Sequence, residues 1–216
     1  MIDAVLKRII DILFAAAILL VASPLFVLIC IRIKLDSKGP MFYRGVRVGK
    51  HGRQFRMLKF RTMVVNADRI GGPSTSGDDP RITKIGRRLR RYNLDELPQF
   101  INVLKGDMSI VGPRPEVPQY VALFTEEEKT ILTVRPGITD WATIWVRDEG
   151  AVLAGNVDPE KAYMEKIWPE KHRLELEYVR KHSIGVDIRI MAMTFKSHLI
   201  DRIFAKSANK APKKSS

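Results

Sequence analysis

The chain of 216 residues contains little cysteine and little histidine, and both shortages limit its chemistry. Its one cysteine, Cys30, lies inside an apolar run, so an intrachain disulfide is impossible and the cysteine clusters of structural zinc sites are absent. None of the 4 histidines has the H-E-x-x-H spacing of zinc hydrolases. We therefore expect a reducing, cytoplasmic setting for the polar part of the chain.

Acidic residues are also in short supply, because 24 Asp and Glu face 37 Lys and Arg, which gives a formal net charge of +13. This excess predicts an anionic partner: nucleic acid, phospholipid or a phosphorylated substrate. Charge alone does not choose among them. The length suits one catalytic domain plus a short extra element, and no internal repeat is present, so one active site is expected.

An uncharged apolar run extends from Ile12 to Ile31 and has about the length that crosses a hydrocarbon core as a helix. A secretory signal peptide fits poorly, because the run is longer than a usual signal core and its small residues Ala22 and Ser23 precede Pro24. The sequence therefore predicts a membrane segment.

The flanks and the middle of this run bear on how it enters the membrane. Lys7 and Arg8 precede it and Arg32 and Lys34 follow it, and positive charge favours the cytoplasmic side for both ends. Pro24 removes a backbone donor in the middle and can bend the helix sharply. A re-entrant hairpin satisfies both facts, and a single span with a tolerated proline is the alternative.

The polar remainder is predicted to be an α+β, helix-rich fold with a small β-hairpin. Alternation at Val46-x-Val48 and Phe55-x-Met57 predicts short strands, and Gly71–Pro80 has the composition of a mobile surface loop. Helical spacing extends over 82–103 and again over 159–199. We expect a membrane element at 1–35, a catalytic domain at 36–200 and a basic, disordered tail at 201–216.

Two adjacent carboxylates, Asp95 and Glu96, follow an arginine cluster at 87–91. One interpretation is structural: Asp95 caps a helix, and Pro98 falls in its first turn, where a missing N–H costs nothing. The functional interpretation uses the same position. A helix N-terminus beside arginines lowers the pKa of a carboxylate and attracts phosphate, so Asp95 is a candidate nucleophile toward phosphorus. A Mg²⁺ ion on the carboxylates would offset the charge repulsion.

Proline-fixed loops at 106–116 and 135–141 are the next candidates for a site. Arg114 lies between Pro113 and Pro115, so its backbone has little freedom and its guanidinium is suited to bidentate phosphate binding. An exposed turn with an incidental arginine is the alternative.

Ordered motifs along residues 7–195 give the chain a resemblance to the monotopic phosphoglycosyl transferase superfamily of bacterial sugar transferases, in its small form with little beyond the catalytic domain. The motifs are Lys7-Arg8-x-x-Asp11, Ser23-Pro24, Lys59-Phe-Arg-Thr-Met63, Asp79-Pro-Arg-Ile-Thr83, Leu94-Asp-Glu-Leu-Pro-Gln99, Asn102-Val-Leu-Lys-Gly-Asp-Met-Ser109, Val111-Gly-Pro-Arg-Pro-Glu116 and Arg135-Pro-Gly-Ile-Thr139.

The resemblance implies a re-entrant helix broken at Ser23-Pro24, lying in the cytoplasmic leaflet of the bacterial inner membrane. It implies that Asp95 attacks the β-phosphate of a UDP-sugar, that UMP leaves, and that polyprenyl phosphate then takes the sugar phosphate. Glu96 is implied to help bind Mg²⁺ or activate the acceptor. The activity would be the first membrane step of a polysaccharide, lipopolysaccharide or glycoprotein pathway.

The resemblance also assigns four cationic residues. Lys59, Arg90 and Arg114 are implied to hold phosphate groups, and Arg147 aligns with an arginine near the nucleotide or the sugar. After Thr139 the chain departs from the common Gly-Trp-Ala-Gln-Val-Asn-Gly-Arg pattern and continues with Asp140 and a DEGAVLAGN stretch. The role of Arg147, the identity of the sugar and the choice between monomer and homodimer are therefore open.

Two other kinds of protein fit the charge. A nucleic-acid-binding protein would use the cluster at 87–91, but the membrane segment argues against it, and we expect no nucleic-acid partner. A scaffold on the membrane surface would use its basic face on anionic lipid without chemistry. The scaffold predicts that mutating Asp95 and Glu96 leaves every function intact.

Overall fold

The structure, a computed structural model, describes residues 2–71 and 75–208 and confirms the predicted helix-rich α+β fold with a small hairpin. The helices are α1 (Ile2–Val21), α2 (Ser23–Asp36), α3 (Ala67–Ile70), α4 (Lys84–Arg91), α5 (Gln99–Lys105), α6 (Pro118–Val121), α7 (Trp141–Trp145), α8 (Glu149–Leu153), α9 (Pro159–Lys166), α10 (Trp168–Lys181) and α11 (Ile184–Ala208). The strands are β1 (Phe42–Val48), β2 (Gln54–Phe60), β3 (Ser109–Val111) and β4 (Gly137–Thr139). Short 3-10 turns lie at Lys50–Gly52, Leu94–Glu96 and Glu128–Thr133.

The strands form two separate pairs. β1 and β2 make the predicted antiparallel hairpin, in which Tyr43 is opposite Lys59. β3 and β4 are parallel, and the chain requires glycine at the start of β4, because a Cβ on Gly137 would lie 2.2 Å from the backbone nitrogen of Gly112. The sequence did not reveal this second pair, since strands of 3 residues are too short for alternation to register.

Helices α1 and α2 meet at Ala22 with a bend of 63°. Pro24 lies in the first turn of α2, and the Ser23 hydroxyl donates a hydrogen bond of 2.8 Å to the Leu20 carbonyl at the end of α1. Within 2–71 and 75–208, no single helix is long and apolar enough to cross a membrane, whereas this bent pair meets the length and composition together. The break therefore falls where the Ser-Pro pair predicted it.

The charges at the start of α1 are bound inside the protein. Lys7 Nζ lies 2.5 Å from a carboxylate oxygen of Asp187 in α11, and Arg8 Nη1 donates a hydrogen bond of 2.7 Å to the Val103 carbonyl in α5. These two cations bind α1 to α11 and α5, so they are structural contacts as well as flanking charges.

Each of the two stretches of predicted helical spacing contains more than one helix. Within 82–103, α4 ends at Arg91, and a left-handed residue, Asn93 (φ 52°), turns the chain before α5 begins at Gln99. The stretch 159–199 is divided among α9, α10 and α11. The last of these continues to Ala208, and the division of the chain into 1–35, 36–200 and 201–216 stays a prediction. Residues 209–216, and 72–74 of the predicted loop, lie outside the described residues.

Candidate active site

The Asp95–Glu96 pair lies in a 3-10 turn between α4 and α5. Asp95 is not the cap of the following helix, as one interpretation had it, because α5 begins at Gln99 and Pro98 occupies its cap position. The left-handed conformation of Asn93, which asparagine tolerates better than most residues, starts the turn. Leucines on either side of the pair fix the turn by packing against α2, β2 and α4, in a cluster that contains Ile29, Ile33, Phe60, Leu89, Leu94 and Leu97.

Glu96 accepts hydrogen bonds from two cationic side chains. Lys59 Nζ, at the end of β2, lies 2.8 Å from Glu96 Oε1. The guanidinium of Arg114 donates to both carboxylate oxygens, with 3.3 Å between Nη1 and Oε2 and a closer contact from Nη2 to Oε1. Burial disfavours the charged carboxylate, but Arg114 and Lys59 outweigh burial and hold the pKa of Glu96 well below its usual range. Glu96 therefore draws two phosphate-binding candidates together.

Asp95 is only 6% exposed, and its side chain makes no hydrogen bond to any residue in the described part of the chain. Burial is the largest influence on its pKa, and the neighbouring Glu96 acts in the same direction, so the pKa of Asp95 is raised although Lys59, Arg90 and Arg114 oppose the shift. The sequence had predicted a lowered pKa from a helix N-terminus. That prediction is wrong, because the carboxyl group is buried in a short turn before the helix begins.

Arg90 reaches the site from α4. Its Nε donates a hydrogen bond of 3.0 Å to the Thr62 hydroxyl, just beyond β2. Burial lowers the pKa of Arg90, while Asp95 and Asp79 favour its charged form. Asp79 forms a bidentate ion pair with Arg81, whose Nη2 is 2.6 Å from Oδ2. The ion pair with Arg81 thus holds Asp79 in place, and the Asp79 carboxylate stabilises the charge of Arg90.

The loop that carries Arg114 is anchored by a buried ion pair. Lys171 Nζ, from α10, lies 2.5 Å from Oε1 of Glu116, and the Tyr163 hydroxyl donates to the same oxygen at 2.9 Å. Burial opposes both charges, yet the partners outweigh it, so the pKa of Glu116 is lowered and that of Lys171 is raised. An unpaired charge at such a position costs several kcal/mol, about 3–5 when one partner is removed, so this pair fixes the loop.

The structure brings five of the six predicted site residues together through shared ion pairs and electrostatic contacts: Lys59, Arg90, Asp95, Glu96 and Arg114. Arg147 lies exposed at the junction of α7 and α8, and its role stays a prediction. The sequence missed three buried polar side chains with atoms that lack a hydrogen-bond partner among the described residues: both polar atoms of Gln99, both carboxylate oxygens of Glu175, and Oδ2 of Asp140. Lys171, His172, Glu175 and Tyr178 share one buried face of α10, and this helical spacing of polar residues was the available signal.

The residues suit a magnesium ion that completes its coordination with substrate. Mg²⁺ is usually held by one or two carboxylates together with phosphate oxygens and water. Asp95 has carboxylate oxygens that no described residue engages, and Glu96 is adjacent. Within 2–71 and 75–208, no group of three or more His, Cys, Asp or Glu side chains could hold a metal by itself. These described residues therefore suit a site in which substrate and water complete the coordination of the metal, and not one in which protein ligands alone hold it.

This geometry places a buried carboxylate beside three cations, which is an arrangement for chemistry on a phosphorylated substrate. The sequence comparison agrees, because the model of the bacterial sugar transferase family matches residues 2–201. The chain belongs to that family, which is the phosphoglycosyl transferase family that its motifs resembled.

Three relatives indicate the range of the family. The undecaprenyl-phosphate glucose phosphotransferase of Komagataeibacter xylinus is 39% identical over 93% of this chain and 37% of its own length. The UDP-N-acetylgalactosamine-undecaprenyl-phosphate N-acetylgalactosaminephosphotransferase of Aeromonas hydrophila is 37% identical, covering 91% of this chain and 44% of its own. The uncharacterized sugar transferase EpsL of Bacillus subtilis (strain 168) is 37% identical, covering 91% and 88%. The chain thus spans less than half the length of the first two and most of the third.

Proposed function

We propose that this protein transfers a sugar-1-phosphate from a UDP-sugar to polyprenyl phosphate, with UMP and a polyprenyl-diphosphate sugar as products. The observation that carries the proposal is the buried Asp95 beside Glu96, within the electrostatic reach of Lys59, Arg90 and Arg114. Relatives whose names give undecaprenyl phosphate as acceptor support the same reaction class. Because those names give two different sugars, the proposal does not name the sugar.

The proposed chemistry is two displacements at one phosphorus atom. A carboxylate oxygen of Asp95 attacks the β-phosphorus of the donor, the bond to the oxygen between the two phosphates breaks, and UMP leaves with that oxygen. A phosphate oxygen of the polyprenyl acceptor then attacks the same phosphorus, and the bond to Asp95 breaks. The carboxylate is regenerated, and the new diphosphate carries the sugar.

The cations prepare Asp95 for this role. Burial raises the pKa of Asp95, but a desolvated carboxylate is also a stronger nucleophile once ionised, and the surrounding cations favour its ionised form. We propose that Lys59, Arg90 and Arg114 bind the donor phosphates, and that Lys59 and Arg114 exchange part of their contact with Glu96 for substrate oxygens. Arg147 is proposed to contact the nucleotide or the sugar from the α7–α8 junction.

Mg²⁺ is the proposed cofactor, with Asp95 and Glu96 as its protein ligands. When bound, it would reduce the repulsion between the anionic diphosphate and the attacking carboxylate. Glu96 has a second proposed role, in which its charge keeps Lys59 and Arg114 near the reacting phosphate before the donor arrives.

The bent pair α1–α2 is proposed to enter and leave the cytoplasmic leaflet of the inner membrane as a re-entrant hairpin. Apolar side chains around the bend are well exposed, with 76% for Leu20 and 81% for Val21, and such a surface suits a hydrocarbon environment. The cluster under the Asp95–Glu96 turn includes Ile29 and Ile33 of α2, so the site lies beside the proposed membrane element. A lipid acceptor could then reach Asp95 without leaving the membrane surface.

The test is UMP release by the purified chain in detergent or lipid discs, with a panel of UDP-sugars, Mg²⁺ and polyprenyl phosphate. At least one donor should release UMP over many turnovers only when Mg²⁺ and acceptor are both present, and no more than one UMP per enzyme molecule when the acceptor is omitted. Asp95→Asn should lower turnover by about a thousandfold or more, because the nucleophile is lost. Glu126→Gln, at a 90%-exposed side chain in the pair with Lys129, is the matched control and should leave turnover unchanged.

A labelled donor should leave a sugar-phosphate adduct on Asp95 when the acceptor is omitted. Product formation without such an adduct would refute the covalent mechanism, and near-normal turnover by Asp95→Asn would refute Asp95 as the nucleophile. Salt-sensitive binding of nucleic acid, or lipid binding without turnover of any donor, would favour the non-catalytic alternatives.

A further inference from the structure

A contact between two glycines joins helix α8 to the loop that carries Asp79 and lies beside Arg90. The Gly77 N–H donates a hydrogen bond of 2.8 Å to the Gly150 carbonyl, and a Cβ on Gly77 would lie 3.2 Å from that oxygen. Gly77 is two residues before Asp79, whose charge acts on Arg90. The close backbone contact therefore seats the start of α8 against the loop that lines one side of the candidate active site.

Glu149, the residue before Gly150, reaches the other side of the site. Its Oε1 lies 3.7 Å from Lys171 Nζ, the buried lysine that holds the Arg114 loop through Glu116. The Glu149 charge also acts on Arg114 and stabilises its guanidinium. With 38% of its side chain exposed, Glu149 is held from within and still open to a ligand. Helix α8 is thus connected to Glu96 through Arg114 on one side, and to Asp95 through Asp79 and Arg90 on the other.

We infer that helix α8 forms the wall of the donor-sugar pocket and that Glu149 is a specificity-determining residue that selects uncharged sugars over uronic acids. The inference rests on the proposed function and deepens it by naming the class of donor. It places the sugar, rather than the nucleotide, beside Glu149 by chemical connectivity. The sugar is bonded directly to the β-phosphate that Asp95 attacks, whereas uridine is separated from it by the α-phosphate.

The chemistry of Glu149 gives the direction of selection. A carboxylate accepts hydrogen bonds from sugar hydroxyls or from an acetamido N–H, and it repels the carboxylate of a uronic acid. Buried or half-buried polar groups discriminate strongly between substrates, because a mismatched substrate leaves the charge of such a group unpaired or facing a like charge. The chain departs from the common family pattern in this stretch, where a substrate-selecting element can differ without altering the Asp95 chemistry.

The experiment compares kcat/KM for UDP-glucose, UDP-N-acetylglucosamine, UDP-N-acetylgalactosamine and UDP-glucuronate in the full chain and in Glu149→Gln. The wild type should favour a neutral donor over UDP-glucuronate. Glu149→Gln keeps the shape and removes the charge, so the ratio of UDP-glucuronate to the best neutral donor should rise about tenfold or more. Glu165→Gln, at a 60%-exposed side chain of α9, is the matched control and should leave the ratio unchanged.

A second variant tests the geometry without changing charge. Gly77→Val inserts a side chain against the Gly150 carbonyl and should push α8 away, which should also relax donor selection. If the Gly77→Val enzyme were as selective as the wild type, α8 would not form the wall of the sugar pocket. An unchanged ratio in Glu149→Gln would overturn the inference. So would equal losses for every donor accompanied by an equal weakening of UMP inhibition, because Glu149 would then face the nucleotide. If the wild type turns over no donor at all, the proposed function fails instead, and the two failures are thereby distinguished.

Discussion

Asp11, in the apolar N-terminal helix, accepts a hydrogen bond of 2.8 Å from the Ser109 hydroxyl at the start of β3. Its other oxygen accepts one of 2.9 Å from the Ile110 N–H, and Asp11 itself is only 3% exposed. β3 leads directly into the loop that carries Arg114. The proposed membrane element and the loop that carries Arg114 are therefore joined by a buried carboxylate in addition to apolar packing.

The first prediction concerns this connection. Asp11→Ala should leave the Ser109 hydroxyl and the Ile110 N–H buried without a partner, and each such loss costs about 1–3 kcal/mol. We expect a destabilisation of about 2–4 kcal/mol, measured by thermal unfolding in detergent. Glu126→Gln provides the comparison, since its exposed ion pair should contribute less than about 1 kcal/mol. Equal melting temperatures for the two variants would contradict the structural role of Asp11.

The second prediction concerns the contact between α4 and the end of β2. A Cβ on Gly86 would lie 2.0 Å from the Thr62 carbonyl oxygen, so Gly86→Ala must move α4 and with it Arg90, which now bonds Thr62. We expect a destabilisation of about 1–3 kcal/mol and a loss of UMP release. Gly185→Ala is the control, because its Cβ would meet only Ser183 Oγ at 3.9 Å, and it should be neutral or slightly stabilising. Full activity in Gly86→Ala would show that the position of Arg90 is unimportant.

The sequence predicted those parts of the fold in which a local pattern corresponds to one structure. The hairpin followed from alternation around Val46 and Phe55, and the bend at Ala22 followed from Ser23-Pro24, because proline acts on the backbone wherever it occurs. The capping interpretation predicted a second helix that starts at Asp95, but its actual start at Gln99, after a 3-10 turn, was not predicted, because apolar spacing continues through the turn. The turn depends on one left-handed residue, Asn93, and on burial of the leucines around Asp95, which is a tertiary effect.

For the candidate site, likewise, the sequence predicted individual residues but not the contacts between them. The sequence singled out Asp95, Glu96 and Arg114 by their charge and their rigid neighbours. It did not predict the ion pair between Arg114 and Glu96, because the loop after β3 brings these two residues together only in the folded protein. The raised pKa of Asp95 could not be inferred from its neighbours in sequence, because burial exceeds the effect of the adjacent cations. Glu149 and Lys171 meet only when α8 and α10 pack. Contacts between distant segments leave no local pattern to interpret.

The third prediction concerns Arg114. Arg114→Lys keeps the positive charge but loses the planar fork that contacts both oxygens of Glu96 and is proposed to bind phosphate in the same way. We expect kcat/KM to fall about 10- to 100-fold, which corresponds to about 1.4–2.8 kcal/mol of lost transition-state stabilisation. Arg173→Lys, at an exposed ion pair in α10, should leave turnover unchanged. Near-normal activity of Arg114→Lys would mean that a point charge is sufficient at this position.

The fourth prediction uses the pH dependence of stability at Glu175. This carboxyl group is 1% exposed, neither oxygen has a side-chain partner among the described residues, and burial raises its pKa well above 4.5 although Lys171 opposes the shift. A raised pKa means that the folded state retains a proton that the unfolded state releases. The stability contributed by this proton is complete below pH 4.5 and is lost as pH rises through the pKa of the folded state.

Glu175→Gln should remove this dependence, because the amide is neutral at every pH. Relative to the variant, the wild type should lose about 1.4 kcal/mol per pH unit above pH 4.5, until Glu175 ionises in the folded protein. Thermal unfolding of both proteins at pH 5 and pH 8 measures the difference, which should be larger at pH 8. Glu165→Gln corrects for the general loss of an exposed charge. If the wild type and Glu175→Gln gave parallel curves, Glu175 would have to be ionised in the folded protein, and Lys171 would then share its charge among three carboxylates instead of holding Glu116 firmly in place.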